Sequence, residues 1–156
     1  MSQTARRPRG LYWNQFEVGQ VYESEGRTIE NGDVSLFAGL SGDFNPLHLS
    51  ETFAQKTPFK TRVAHGMLTF SISTGQQNQM GIFEGTALAL LGMDEVRLPA
   101  AVRFGDTIRT VLEVTSVRAT SKPERGIVGF SVMVLNQRDE PVATYKQSLM
   151  VVGETA

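Results

Sequence analysis

The chain has 156 residues, a formal net charge of −1, 40% hydrophobic residues and no cysteine. A chain of this length is expected to form one domain with its own hydrophobic core, and the lack of cysteine excludes disulfides, thiolate metal sites and cysteine nucleophiles. The small net charge argues against nucleic-acid partners, and no apolar run reaches the roughly 18–20 residues that span a bilayer, so we expect a cytoplasmic protein without membrane partners.

The N-terminal ten residues are basic, with Arg6, Arg7 and Arg9, and no apolar segment follows them. This pattern predicts a flexible tail over residues 1–10 rather than a secretory signal. Residues 11–152 are then expected to form the single domain, which opens with a turn at Gly19 and a short strand.

The next segment predicts two helices separated by a polar loop. Asn31 or Asp33 is expected to cap the first helix, which Gly42 ends. A second helix of about two turns is expected after its capping residue Ser50, and Pro58 stops it. The apolar side chains of the first helix are Val34, Leu36, Phe37, Ala38 and Leu40.

Residues 65–80 combine apolar and small residues almost without charge, which predicts a helix buried on most sides. The remaining chain favours strands, with a polar turn at residues 136–141 between the last two. The expected fold class is therefore α+β, a curled antiparallel sheet wrapped around one long central helix. The predicted long strands are residues 87–98, 107–118, 126–135 and 141–152.

The polar loop Ser41-Gly-Asp-Phe-Asn-Pro-Leu-His-Leu-Ser50 holds a carboxylate and an imidazole. Asp43 and His48 could move protons near neutral pH, and Pro46 would stiffen the turn between them. Taken alone, however, the segment favours a polar turn, in which Asp43 and Asn45 form Asx turns and His48 bonds a backbone carbonyl.

A second feature is the glycine at the start of the central helix. The N–H of Gly66 is expected to be free of helical hydrogen bonds and to act as an oxyanion donor at the positive end of the helix dipole. His65 is interpreted as a capping or core histidine and not as a catalyst. An acid/base pair together with an oxyanion donor is a complete set for chemistry beside a carbonyl group.

These residues carry a family likeness. The segments 37–48 (FAGLSGDFNPLH), 53–57 (FAQKT) and 64–67 (AHGM) resemble the hydratase motif of the MaoC-like dehydratases, which include the (R)-specific enoyl-CoA hydratases of the hot-dog superfamily. The resemblance runs from Phe16 to Val152. It implies a hot-dog fold, a homodimer or dimer of dimers with active sites near the subunit interface, and no metal or redox cofactor.

The resemblance also implies roles for individual residues. Asp43 and His48 would be the catalytic dyad that Asn45 orients, with no decision on which is base and which is acid. Gly66 would bind the thioester oxygen, and Thr74 would supply a supporting hydroxyl. The implied reaction is reversible syn addition of water to a trans-2-enoyl thioester of CoA or acyl carrier protein. The acyl chain is expected to contact Phe44, Leu68, Phe70, Met80 and Phe83.

Other activities remain open from the sequence. A dehydratase for branched or dicarboxylic acyl-CoA, of the mesaconyl-CoA or methylmalyl-CoA type, would need a cation, for which Arg62, Arg97 and Arg103 are candidates, although solvated surface arginines are the favoured interpretation. A hot-dog thioesterase is less favoured because of His48. A non-catalytic acyl-binding subunit is the remaining alternative.

Overall fold

The computed structural model describes residues 9–154. No helix within that range has the length and apolar character needed to cross a membrane. The elements are a 3-10 helix (Trp13–Gln15), strands β1 (Val21–Glu23), β2 (Arg27–Thr28), β3 (Ala87–Arg97), β4 (Thr107–Ala119), β5 (Arg125–Leu135) and β6 (Pro141–Val152), and helices α1 (Asn31–Ser41), α2 (Pro46–Leu49), α3 (Glu51–Ala54) and α4 (Gly66–Gln79).

The N-terminal segment joins the fold earlier than the predicted tail allows. The N–H of Gly10 donates to Glu84 O (2.9 Å), and the N–H of Leu11 donates to Ile82 O (2.9 Å). The rest of that prediction, residues 1–8, lies outside the described residues.

The sheet is antiparallel, in the order β1-β4-β5-β6-β3, and β2 also pairs with β4. The four long strands and the polar turn lie where the sequence predicted them, from segments rich in Val, Leu, Thr and Phe and from the polar residues between the last two. At that turn the N–H of Asn136 donates to Glu140 O (3.0 Å). Among the described residues, β3 pairs only with β6, so its other side is an edge of the sheet there.

The helix α4 packs its apolar side chains against the sheet. Phe70 and Ile72 are buried, and the Phe70 ring meets Tyr145 of β6 edge-on at 5.1 Å between centroids. The opposite face of α4 is exposed, with Met67 at 63% exposure and Ser71 and Thr74 also open to solvent. The expectation of a helix buried on most sides is therefore wrong for the single chain, because the sheet covers only one side of it.

The two ends of helix α1 are each fixed by a local hydrogen bond. Glu30 occupies the capping position, and its N–H donates to the Asp33 carboxylate (2.9 Å), so the prediction of Asn31 or Asp33 as the cap is wrong by one to three residues. Gly42 ends the helix in the left-handed region (φ 77°), as predicted, and its N–H donates to Ala38 O. Of the predicted apolar face, Leu36 and Leu40 are exposed instead.

Candidate active site

The polar loop contains a one-turn helix, α2, that the sequence analysis missed. The side chain of Asn45 caps it by accepting the N–H of Leu47 (3.0 Å), and Pro46 occupies the first helical position, where its missing N–H costs nothing. The Asp43 carboxylate accepts the N–H of Asn45 (3.2 Å). The two side chains therefore form the turn that the sequence favoured, and this turn positions His48 at the end of α2.

The imidazole of His48 is held in one tautomer by the backbone. Its Nδ1 lies 2.8 Å from the carbonyl oxygen of Val63. A carbonyl oxygen only accepts hydrogen bonds, so in the neutral ring Nδ1 carries the proton and Nε2 keeps a lone pair. His48 is partly exposed, which leaves this lone pair free to accept a proton at the site.

A second imidazole, which the sequence analysis set aside, lies directly beside the dyad. His65 is buried (2% exposed), and its ring stacks on His48 with 3.8 Å between centroids and 31° between planes. Its Nε2 lies 3.0 Å from the backbone oxygen of Asp43 and 4.0 Å from the Asp43 carboxylate. Although His65 precedes α4, its side chain makes no capping hydrogen bond. The sequence signal that could have placed His65 at this site was its position directly before Gly66.

The glycine Gly66 begins α4 as predicted. Within residues 9–154 its N–H has no hydrogen-bond acceptor, as expected for the first position of a helix. A Cβ atom at this position would lie 2.5 Å from Cδ1 of Leu98, so any other residue here would force the end of the Leu98 side chain to move. This N–H is available to a ligand oxygen, with the positive end of the α4 dipole behind it.

Two cavities adjoin at His48 and Gly66. An open cleft of about 530 Å³ contains Asp43 and His65, and a second cavity of about 220 Å³ contains Phe59 and Val142. Both are also lined by the same three residues, His48, Gly66 and Leu98. A ligand that occupied both cavities would therefore pass the free Nε2 of His48 and the free N–H of Gly66.

The remaining site predictions are not brought to this junction. Thr74 is exposed, donates to Ser71 O (2.8 Å) and lies two turns beyond Gly66, about 12 Å along the helix. With Phe83 it lines a separate groove beside Leu90 of β3. None of the five residues expected to contact the acyl chain lines either cavity: Leu68, Phe70 and Phe83 are buried in the core, Met80 packs partly against it, and Phe44 is 64% exposed.

The three candidate arginines also lie away from the two cavities. The guanidinium of Arg62 donates to Glu51 (3.3 Å) and Asn31 (3.2 Å) and lies over the Phe104 ring, so it is engaged in tying the loop to α1. Arg97 donates to the carbonyl oxygen of its neighbour Val96. Within residues 9–154, no arginine lines either cavity, where a distal carboxylate would need a cation.

The donor set also invites a test for a metal. Asp43, His48 and His65 can each offer a ligand atom within 4.8 Å of the others, as in a two-histidine, one-carboxylate site. One nitrogen of each imidazole is already engaged by the backbone, however: His65 Nε2 by the Asp43 carbonyl oxygen and His48 Nδ1 by the Val63 carbonyl oxygen. The arrangement suits proton transfer better than metal ligation. That no metal or redox cofactor is needed remains a prediction.

Comparison with known proteins places this chain in a family. A family model described as "MaoC like domain" matches residues 14–135. An (R)-specific enoyl-CoA hydratase from Rhodospirillum rubrum is 37% identical over 123 residues, which cover 76% of this chain and 77% of that protein. A beta-methylmalyl-CoA dehydratase from Chloroflexus aurantiacus is 31% identical over 149 residues, 95% of this chain but 42% of that protein.

Solved structures agree. An R-hydratase from Pseudomonas aeruginosa, in the unliganded form, superposes with a TM-score of 0.75 at 31% identity, over 93% of this chain and 88% of that one. A protein from Mycobacterium tuberculosis described as a double hot-dog fold superposes with a TM-score of 0.80 at 20% identity, over 96% of this chain and 46% of that one, which confirms the fold alone. The chain belongs to the MaoC-like domain family and has its hot-dog fold.

Proposed function

We propose that this protein is an (R)-specific enoyl-CoA hydratase, which adds water reversibly to a trans-2-enoyl thioester to give a (3R)-3-hydroxyacyl thioester. The observation that carries the proposal is the meeting of three groups at one junction: the carboxylate of Asp43, the free Nε2 of His48 and the free N–H of Gly66. The likeness to hydratases at 37% identity supports the same reaction.

The geometry supports a direct mechanism. The Gly66 N–H would bind the thioester oxygen and stabilise the enolate that develops there. His48 Nε2 and the Asp43 carboxylate would bind a water molecule between them, accept one of its protons and direct its oxygen to C3. The same proton returns to C2 from the dyad, so both additions occur on one face of the double bond and no atom or charge is left over. The chain's own groups supply every step.

We also propose a cytoplasmic homodimer that forms through β3. Three leucines on this edge strand, Leu88, Leu90 and Leu91, are 47–52% exposed, and an exposed apolar edge strand is an association hazard in a monomer. The groove that contains Leu90 also contains Thr74 on the exposed, uncharged face of α4. A second copy that covered β3 and this face would bury both, and sheet pairing across two β3 strands would complete their hydrogen bonds.

The similarity to a beta-methylmalyl-CoA dehydratase keeps a dicarboxylic substrate as a second candidate. Its distal carboxylate would need a cation, and none of the candidate arginines lines either cavity. We therefore place simple enoyl thioesters first.

A substrate panel tests these proposals. The purified protein is mixed with trans-2-enoyl-CoA of four to twelve carbons, mesaconyl-CoA and an enoyl acyl carrier protein, while enoyl absorbance and free thiol are followed together. We expect loss of enoyl absorbance without thiol release, and a product of 3R configuration. Release of thiol would instead identify a thioesterase, and no turnover on either carrier would identify an acyl-binding subunit.

A further inference from the structure

The buried histidine His65 has a hydrogen-bonding pattern that packing alone does not explain. Its side chain is 3% exposed, and its Nδ1 has no hydrogen-bond partner in the structure. A buried nitrogen without a partner destabilises a fold, and an apolar side chain of similar shape would avoid that cost. The presence of a polar ring at this position therefore indicates that its other nitrogen, Nε2, has a role.

The other edge of the ring binds the main chain of the catalytic loop. Because a carbonyl oxygen only accepts, the Nε2–H of His65 donates to the backbone oxygen of Asp43 at 3.0 Å. The Asp43 side chain is half exposed, and its carboxylate accepts only the local N–H of Asn45 among the described residues. The bond from His65 thus fixes the backbone from which the exposed carboxylate extends.

The faces of the same ring position the second member of the dyad. One contact is the stack on His48 at 3.8 Å, and another is the packing against Phe37 of α1 at 5.1 Å between centroids. His65 is also bonded covalently to Gly66, the oxyanion donor. One side chain therefore links the backbone of Asp43, the ring of His48 and the start of α4.

We propose that His65 is a positioning residue for the hydration reaction. It holds the Asp43 loop in a fixed position relative to His48 and the Gly66 N–H, chiefly through its hydrogen bond to Asp43 O. This proposal rests on the proposed hydratase function. It assigns His65 no contact with substrate and no proton transfer. Loss of the bond would displace the acid relative to the oxyanion donor, and a displacement of about 1 Å can cost on the order of 10²-fold in rate.

Three substitutions separate the hydrogen bond from the ring. His65→Gln places an amide N–H near the position of Nε2, so the bond to Asp43 O is kept without the ring. His65→Asn places the amide nearer the position of Nδ1 and cannot reach that oxygen. His65→Phe keeps the stacked ring and loses the donor. Ile72→Val, a buried change two turns along α4, controls for general loss of stability.

The first readout is kinetic. We expect His65→Gln to keep kcat within about threefold of the wild type, and His65→Asn and His65→Phe to lose about 10²-fold in kcat with KM within about threefold. Wild-type kcat in folded His65→Asn or His65→Phe would overturn the proposal, and so would equal losses in all three variants. If His65→Phe does not fold, the comparison of Gln with Asn carries the test.

The second readout does not depend on activity, so it separates failure of this inference from failure of the proposed function. Nitrogen-15 NMR of the histidine rings is expected to show His65 as the Nε2–H tautomer, and amide hydrogen exchange in residues 43–48 is expected to quicken in His65→Asn but not in His65→Gln. An Nδ1–H tautomer at His65, or unchanged exchange in His65→Asn, would refute the positioning role even if the protein were an active hydratase.

Discussion

The Nδ1 atom of His48 lies 2.8 Å from the carbonyl oxygen of Val63, so a fixed backbone group sets the tautomer of the dyad's imidazole. Val63 forms an isolated bridge with Arg103 and is buried, so its carbonyl is held in place by the fold. The free Nε2 of His48 is therefore present before any substrate binds, and proton transfer needs no change of tautomer.

This arrangement predicts that both members of the dyad are required. Asp43→Asn retains an oxygen that can accept the N–H of Asn45, and His48→Gln is similar in size, so both variants are expected to fold. Each should lose at least about 10²-fold in kcat, because acid/base groups contribute on that scale. The check is enoyl hydration, with circular dichroism as the control for folding. Near-normal turnover by either variant would sink the assignment of the dyad.

Much of the architecture was accessible from sequence because each element carried its own local signal. The four long strands are rich in apolar and β-branched residues taken together, with Leu dominating β3, and α4 is an uncharged stretch with a free N–H at its first residue, Gly66. The Asx bonds of Asp43 and Asn45 show that the predicted polar turn forms, and it is built from the same residues that we propose for the site. The family resemblance identified Asp43, Asn45 and His48, and the turn explains how these side chains are oriented.

What the sequence missed depends on contacts between distant segments. The interaction of His65 with Asp43 spans 22 residues, and nothing in the local pattern of either segment encodes it. Residues expected to contact the acyl chain, such as Phe70 and Phe83, lie in the core and do not line the two cavities, because hydrophobicity does not distinguish a core position from a ligand contact. The exposed face of α4 was not predicted, because a lack of charged residues indicates that a helix is buried but does not indicate whether the same chain or a second chain covers it.

The contact between Gly66 and Leu98 predicts a separation of activity from stability. Gly66→Ala should leave the melting temperature close to that of the wild type, because alanine is compatible with the first position of a helix and the flexible end of Leu98 can move. The new methyl group would displace Leu98, which lines both cavities. We therefore expect kcat to fall about tenfold or more, with an upper limit on the order of 10²–10³-fold, the effect of losing an oxyanion donor. Leu98→Ala, as the matched control, should retain most activity, and the double variant should regain part of the loss. Full activity in Gly66→Ala would contradict this view.

The exposed leucines of β3 predict an oligomer that one charge can disrupt. Leu90→Glu would bury a carboxylate without a partner in the proposed dimer interface, at a cost of several kcal/mol. Sedimentation velocity at micromolar concentration should show a dimer for the wild type and a monomer for this variant. Val18→Glu, at a position 67% exposed in the turn before β1, should remain dimeric. A monomeric wild type, or dimers in both variants, would argue against β3 as the interface.

The buried hydroxyl of Tyr145 predicts a stability that depends on pH. This hydroxyl accepts the amide of Gln77 (2.8 Å) and is 2.9 Å from the hydroxyl of Ser73. Burial raises the pKa of Tyr145 above its ordinary value of 10.0, even though the hydrogen bonds from Ser73 and Gln77 act in the opposite direction. Tyr145→Phe should cost about 1–3 kcal/mol in unfolding free energy at pH 7, because the buried amide loses its acceptor.

The raised pKa fixes the sign of the pH effect. The unfolded chain loses the phenol proton near pH 10 while the folded chain still holds it, so the stabilisation from neutral Tyr145 is complete below pH 10 and declines as the pH rises towards the folded pKa. The difference between wild type and Tyr145→Phe in urea unfolding should therefore be smaller at pH 11 than at pH 7. Tyr22→Phe is the matched control. The pKa of the half-buried Tyr22 phenol is also raised, by burial and then by Glu17. Among the described residues its hydroxyl contacts only the part-buried Gln20, so the loss of unfolding free energy at pH 7 should be smaller than for Tyr145→Phe. A gap between wild type and Tyr145→Phe that stays constant from pH 7 to 11 would show that the phenol does not titrate differently in the folded chain.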